Sequence, residues 1–252
     1  MPKIIAVSNQ KGGVGKTTTV GAVSSGLKNR GFKVLAVDLD PQSNLSFSMG
    51  ANTEGVTIYN VLKGESSPFD AVQHTSVADI IASNILLSGI ELEYTESGRE
   101  FLLRDALKPF GNCYDYIIID TPPTLGVLTV NAYAAAKHII VPMLADIFSL
   151  QGITQIVETV NYVTKYCNPD VSILGILLTK FNPRTKLSAE IRGTAEMISS
   201  DLGIPLFRTT IRSSVAISEA QTLQQNILNY APKNKAIGDY AAFIEELVEL
   251  GL

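Results

Sequence analysis

Asn9-Gln10-Lys11-Gly12-Gly13-Val14-Gly15-Lys16-Thr17-Thr18 decides the fold, because the apolar run Ile4 to Ser8 precedes it and a helical pattern, Lys16 to Arg30, follows. A strand, a glycine-rich turn and a helix N-terminus in that order make a phosphate loop. The glycines let N–H groups turn inward, and the unsatisfied amides of the first helical turn complete the anion cradle. Gly12, Gly13, Val14, Gly15 and Thr18 belong to that cradle, Lys16 is expected to neutralise β- and γ-phosphates, and the Thr17 hydroxyl to ligate Mg²⁺. The loop opens on Lys11, giving KGGVGKT in place of the ordinary GxxxxGKS/T pattern. A lysine there does not easily fold back on its own phosphates but reaches those of a facing subunit. It therefore implies a homodimer with two ATP molecules held between the subunits.

Two further strands end in acid. Val37-Asp38-Leu39-Asp40-Pro41-Gln42 closes the strand Lys33 to Asp38, and carboxylates two residues apart lie on the same side of an extended chain. Asp38 is expected to hold magnesium or its waters, and Asp40 to orient or activate the attacking water. Tyr116-Ile117-Ile118-Ile119-Asp120-Thr121-Pro122-Pro123 has the Walker B pattern, in which Asp120 holds magnesium through water and the Thr-Pro-Pro turn senses the γ-phosphate. Lys11, Lys16 and Asp40 are thus the catalytic set, and Thr17, Asp38 and Asp120 the metal set.

Buried strands are read at Ile4 to Ser8, Lys33 to Asp38, Asp79 to Ala82, Tyr116 to Asp120, His138 to Pro142 and Ile173 to Thr179. Their continuous apolar character suits parallel strands covered on both faces. Helices are read at Lys16 to Arg30, Arg99 to Leu107, Val127 to Ala136, Leu150 to Tyr166, Ser188 to Leu202 and Ile237 to Glu249. The alternation predicts an α/β fold: a doubly wound, mostly parallel sheet with helices on both faces, in one P-loop NTPase domain spanning 1–252. Met49 to Ser76 reads as loops around a short helix, Ile58 to Leu62.

With 20 basic and 24 acidic residues the net charge is -4, so any contact with a polyanion must come from a local patch. Cys113 and Cys167 stand outside any CxxC or Cys/His cluster, which argues against a disulfide framework or a structural zinc site. No stretch reaches the length of apolar residues needed to span a membrane, so a cytoplasmic protein without membrane insertion is expected.

The whole set resembles the ParA/Soj branch of the MinD-like deviant Walker A ATPases. The likeness runs through KGGVGKTT, VDLDPQSN, Ala82 to Leu87, YDYIIIDTPPTLGVLTVNA, Pro142 to Gly152, Leu178 to Asn182 and Ile217 to Ala220. It implies a Mg²⁺-dependent ATP hydrolase with slow intrinsic turnover, in which Lys11 contacts the other subunit's nucleotide and Asp40 supports hydrolysis. Its adenine pocket maps onto Tyr230-Ala231-Pro232-Lys233-Asn234, making Pro232 and Asn234 base contacts, with Asn182 a further one.

Members of that family bind DNA non-specifically as the ATP dimer, become nucleoid-associated, and are stimulated by a ParB-like or adaptor protein. Arginines in a pattern resembling IPRNVRxSEAP contribute. Here the run is Ile211-Arg212-Ser213-Ser214-Val215-Ala216-Ile217-Ser218-Glu219-Ala220, with Ser213 and Ala216 at the places of its two arginines. Lys180, Arg184, Lys186, Arg208, Arg212, Lys233 and Lys235 offer a replacement patch for phosphates. A MinD-like ATPase on a membrane surface is the alternative. It calls for a basic amphipathic tail, and Phe243 to Leu252 instead carries three glutamates and no basic residue.

Overall fold

The computed structural model describes residues 1–93, 96–144, 148–182 and 186–252. Strands β1 (Lys3–Val7), β2 (Val34–Asp38), β3 (Val72–His74), β4 (Asp79–Ile81), β5 (Tyr116–Asp120), β6 (His138–Leu144) and β7 (Ser172–Thr179) form one sheet in the order β3-β4-β2-β5-β1-β6-β7. Every pairing is parallel except β3 with β4 at the edge. The helices are α1 (Lys16–Asn29), α2 (Asn44–Ser48), α3 (Ile58–Leu62), α4 (Ile90–Glu93), α5 (Leu102–Leu107), α6 (Val127–Ala135), α7 (Phe148–Tyr166), α8 (Lys186–Leu202), α9 (Val215–Thr222), α10 (Ile227–Tyr230) and α11 (Lys235–Glu249).

Alternation along each strand sorts the apolar residues to two faces. Ile5 and Val7, Val34 and Ala36, Ile80, and Tyr116 and Ile118 point to one core, which α1, α9, α10 and α11 close. Ala6, Leu35 and Val37, Ile81, and Ile117 and Ile119 point to the other, closed by α3, α5, α6 and α7. A third cluster joins β6 and β7 to α7 and α8 through Met143, Ile153, Leu178 and Ala195. With both faces covered, the central strands lose their polar alternation, which is why they are legible as continuous apolar runs.

Three local readings change. The expected helix Arg99 to Leu107 begins as a 3₁₀ turn, Arg99–Phe101, before α5. The stretch Met49 to Ser76, expected as loops around one helix, also holds the antiparallel edge strand β3. The short helices α2, α9 and α10 were not anticipated, being too brief to show a helical period.

The C-terminal helix is tied to the chain before it by a buried carboxylate. Glu246 accepts from the backbone N–H of Arg208 at 2.8 Å and of Thr209 at 2.9 Å, with the Arg208 guanidinium nearby. Burial alone would raise its pKa, but those bonds win and hold it below the ordinary carboxylate value. A depressed native pKa means the stability gain is present above the ordinary carboxyl pKa and is lost as pH falls through the native pKa. Glu246→Gln should cost about 1–3 kcal/mol at pH 7 in urea denaturation. The gap from wild type should narrow as pH drops below the ordinary carboxyl range, and a gap independent of pH would contradict the account.

Candidate functional site

The sequence brings its chemistry to the carboxyl edge of the sheet through register. Val7 at the end of β1 pairs with Asp120 at the end of β5, and Asp120 pairs with Asp38 at the end of β2. Three strands therefore stop at one level, and the loop after β1 leaves the sheet beside Asp120, with Asp38 one strand further along. Gly13 at φ 73° and Gly15 at φ 93° make the left-handed turns that bring the chain back onto α1. No side chain caps α1 at Gly15, so the amides of its first turn remain available to an anion.

Several contacts hold the loop in shape. Asn9 donates to Pro142 O at 2.7 Å and accepts from Lys11 N at 2.9 Å, fixing the loop's start to β6. Thr179, at the end of β7, donates its hydroxyl to Val14 O at 2.8 Å from the other side. Behind the loop the Tyr240 hydroxyl lies 3.3 Å from Thr19 Oγ1, and Gln221 of α9 donates to Thr18 Oγ1 at 3.2 Å. These supports were missed at the sequence level. Thr179 alone carried a signal, as a polar residue ending an apolar strand.

A cavity of about 700 Å³ opens over this loop. Gly12 to Thr18, Asp40, Gln42 and Pro123 line it together with Thr179, Lys180, residues 211–215 and Tyr240. Lys16 is buried, its Nζ 3.3 Å from Lys11 O. Burial lowers its pKa, against the opposing pull of Asp120 and then Asp40. Asp120 is fully buried; one carboxylate oxygen accepts from Thr17 Oγ1 at 2.6 Å, and Oδ1 has no partner. Burial and then the charge of Asp38 push its pKa well up, only partly offset by Thr17 and Lys16. This is an anionic pocket short of positive charge, with a hydroxyl at its mouth.

Asp38 is held by hydrogen bonds at the end of β2. Its Oδ1 accepts from Asp40 N at 3.0 Å, and its Oδ2 from Ser46 N at 2.9 Å and Ser46 Oγ at 2.7 Å. Burial raises its pKa to about 6 against those bonds. With its oxygens so engaged, Asp38 shapes the loop that carries Asp40 to the cavity. Among the described residues no group of three His, Cys, Asp or Glu suits a metal ion. A cation here would take the Thr17 hydroxyl together with phosphate and water oxygens, and the orphaned Asp120 Oδ1 fits that arrangement.

The base contacts expected at Asn182, Pro232 and Asn234 are not brought to this cavity: its described lining includes none of them. Asn234 instead caps α11, accepting from Ala236 N at 2.9 Å. The basic patch is also divided. Arg208 pairs with Glu249 and Glu246, Arg212 pairs with Asp239, and Lys180 lines the cavity, while Lys233 and Lys235 are exposed. Arg184 lies outside the described residues, and of Lys186 only the backbone, opening α8, is described.

Comparison with known proteins agrees with this geometry. An AAA domain family model matches residues 2–173. The chain is 36% identical over 256 residues to the sporulation initiation inhibitor protein Soj of Bacillus subtilis (strain 168), covering 100% of each. It is 36% identical over 251 residues to the chromosome-partitioning ATPase Soj of Treponema pallidum (strain Nichols), covering 98% of each. Among solved structures it is similar to cobyrinic acid a,c-diamide synthase from Mycobacterium smegmatis with bound ATP analogue and magnesium. There the TM-score is 0.85 at 33% identity, over 98% of this chain and 95% of that one.

Thr179→Val keeps the side-chain volume but leaves Val14 O without its donor. It should lower stability by about 1–3 kcal/mol and weaken nucleotide binding by loosening the loop, read by denaturation and calorimetric titration. Unchanged nucleotide affinity would show that Thr179 does not hold the loop for its ligand.

Proposed function

We infer the function from one premise: this chain belongs to the AAA domain family and, within it, to the ParA/Soj-type P-loop ATPases. It is an ATP hydrolase and a partition ATPase. We propose that it works with magnesium, closes on ATP as a face-to-face dimer, binds DNA without reading sequence, and is discharged by a ParB-like or adaptor partner to move a plasmid, chromosome or other cargo.

The observation that carries the nucleotide half of this reading is the register of β1, β2 and β5. With it go Asp120 and Asp40, the two acids whose charge acts on Lys16, and an uncapped helix N-terminus above them. Gly12 to Thr18 cradle the phosphates through their amides, and Lys16 sits where the terminal phosphates come. Magnesium, when bound, neutralises charge on those phosphates from Thr17 and Asp120. Asp40, held by the Asp38 loop, orients the attacking water. Lys11 lies at the loop's opening, supporting its reach to a facing subunit.

DNA contact is supported by the exposed Lys233 and Lys235 and by Arg208. The Arg208 side chain is 76% exposed, so its ion pairs are screened by water and exchange readily for DNA phosphates. The alternative of a membrane-seated tail is disfavoured by α11. Its apolar residues Tyr240, Phe243, Ile244 and Leu247 are buried in the core against α1. Among the described residues no helix is long and apolar enough to cross a membrane.

Lys16→Ala should abolish ATP binding, whereas Asp40→Ala should keep binding, lose hydrolysis and accumulate as the dimer. Normal hydrolysis by Asp40→Ala would overturn that catalytic assignment. In a mobility shift on unrelated duplexes, the wild type should bind with ATP, fail to bind with ADP, and release as salt rises. Absence of binding in every nucleotide state would move the cargo track from DNA to a protein or membrane.

A further inference from the structure

The late wall of the cavity contains an arginine whose surroundings point away from a DNA role. Arg212 lines the cavity beside Thr179, Lys180 and Ser213. Its guanidinium is locked from behind: Nε donates to Asp239 Oδ2 at 2.8 Å, and Nη2 to Asp239 Oδ1 at 2.5 Å and to Lys235 O at 3.2 Å. The Arg212 backbone N–H also donates to Asp239 Oδ2, at 3.0 Å. A guanidinium has five N–H donors. Three are used, and the two on Nη1 have no partner among the described residues. The side chain keeps 40% exposure while Asp239 keeps 14%, so the arginine is open on one side and fastened on the other.

The cavity's polarity says what meets it. Asp40, Lys16 and the Thr17–Asp120 pair mark the end for the terminal phosphates. One residue further along α1, Thr18 is joined by Gln221 of α9, and Lys180 with residues 211–214 continues the lining outside the loop. A nucleotide with its phosphates on the loop must lay its nucleoside half along that wall. Ribose hydroxyls and purine ring nitrogens are acceptors, and an anchored guanidinium offers donors at no further ordering cost.

We propose that Arg212, clamped by Asp239, is a nucleotide-binding residue that holds the nucleoside half of ATP through the free Nη1 donors. This rests on the nucleotide reading above. Asp239 is then a positioning residue, and Arg212 is withdrawn from the DNA surface.

Titration calorimetry with Mg-ATP and with inorganic tripolyphosphate separates the two halves of the ligand. Arg212→Met should raise the Kd for ATP about tenfold, as for loss of a charged hydrogen bond, and leave tripolyphosphate binding unchanged. Asp239→Asn, which keeps the arginine but unlocks it, should shift ATP in the same selective way, and it decides the matter if the methionine variant does not fold. Unchanged ATP affinity in the folded variant, or equal weakening of both ligands, would overturn the proposal. Lys16→Ala serves as the control: if it binds both ligands normally, the phosphate reading itself has failed, not this inference.

Discussion

The structure depends on an unbalanced charge at the end of the central strands. Parallel register stops β1, β2 and β5 at one level and buries Asp38 and Asp120 there. Lys16 is the cation that the loop brings to them, and it too is partly stripped of its hydration. Buried carboxylates in excess of nearby cations are costly, and proteins tolerate them where a ligand completes the balance. Here the completing charge has a defined place, since Asp120 Oδ1 has no partner and the Thr17 hydroxyl stands beside it.

Much of the remaining architecture serves that edge. Asn9 and Thr179 grip the loop from β6 and β7, Ser46 holds Asp38 so that Asp40 projects into the cavity, and Tyr240 and Gln221 brace α1 from behind. Tyr240 and Gln221 come from the last fifth of the chain. The fold of the C-terminal helix is therefore coupled to a loop near the N-terminus, and Glu246, by holding the strand-like segment before Ile211, helps to set the far wall.

The sequence showed the parts whose physics is local. A glycine turn between strand and helix, and apolar runs ending in Asp38 and Asp120, announce themselves because backbone conformation and burial restrict which residues fit. β5 has the bounds expected from the sequence, and β2 is one residue shorter than expected. What was not legible depends on long-range contact. The spacing of Asp38 and Asp40 does not show that Ser46 N and Oγ donate to Asp38. Arg208 and Arg212 look like a basic patch until Glu246, Glu249 and Asp239, some 27 or more positions away in the chain, are seen to pair with them. That Asn234 caps α11 is likewise set by the helix that follows it. Charge in a sequence is counted by residue, whereas its effect is decided by the partner across the fold.

The central claim is that ATP closes two such sites against each other, with Lys11 reaching across. Sedimentation velocity of the Asp40→Ala protein with ATP, set beside the Lys11→Ala, Asp40→Ala double variant, tests it most directly. The account predicts a dimer for the first and a monomer that still binds ATP for the second. A double variant that dimerises as fully as its parent would contradict it.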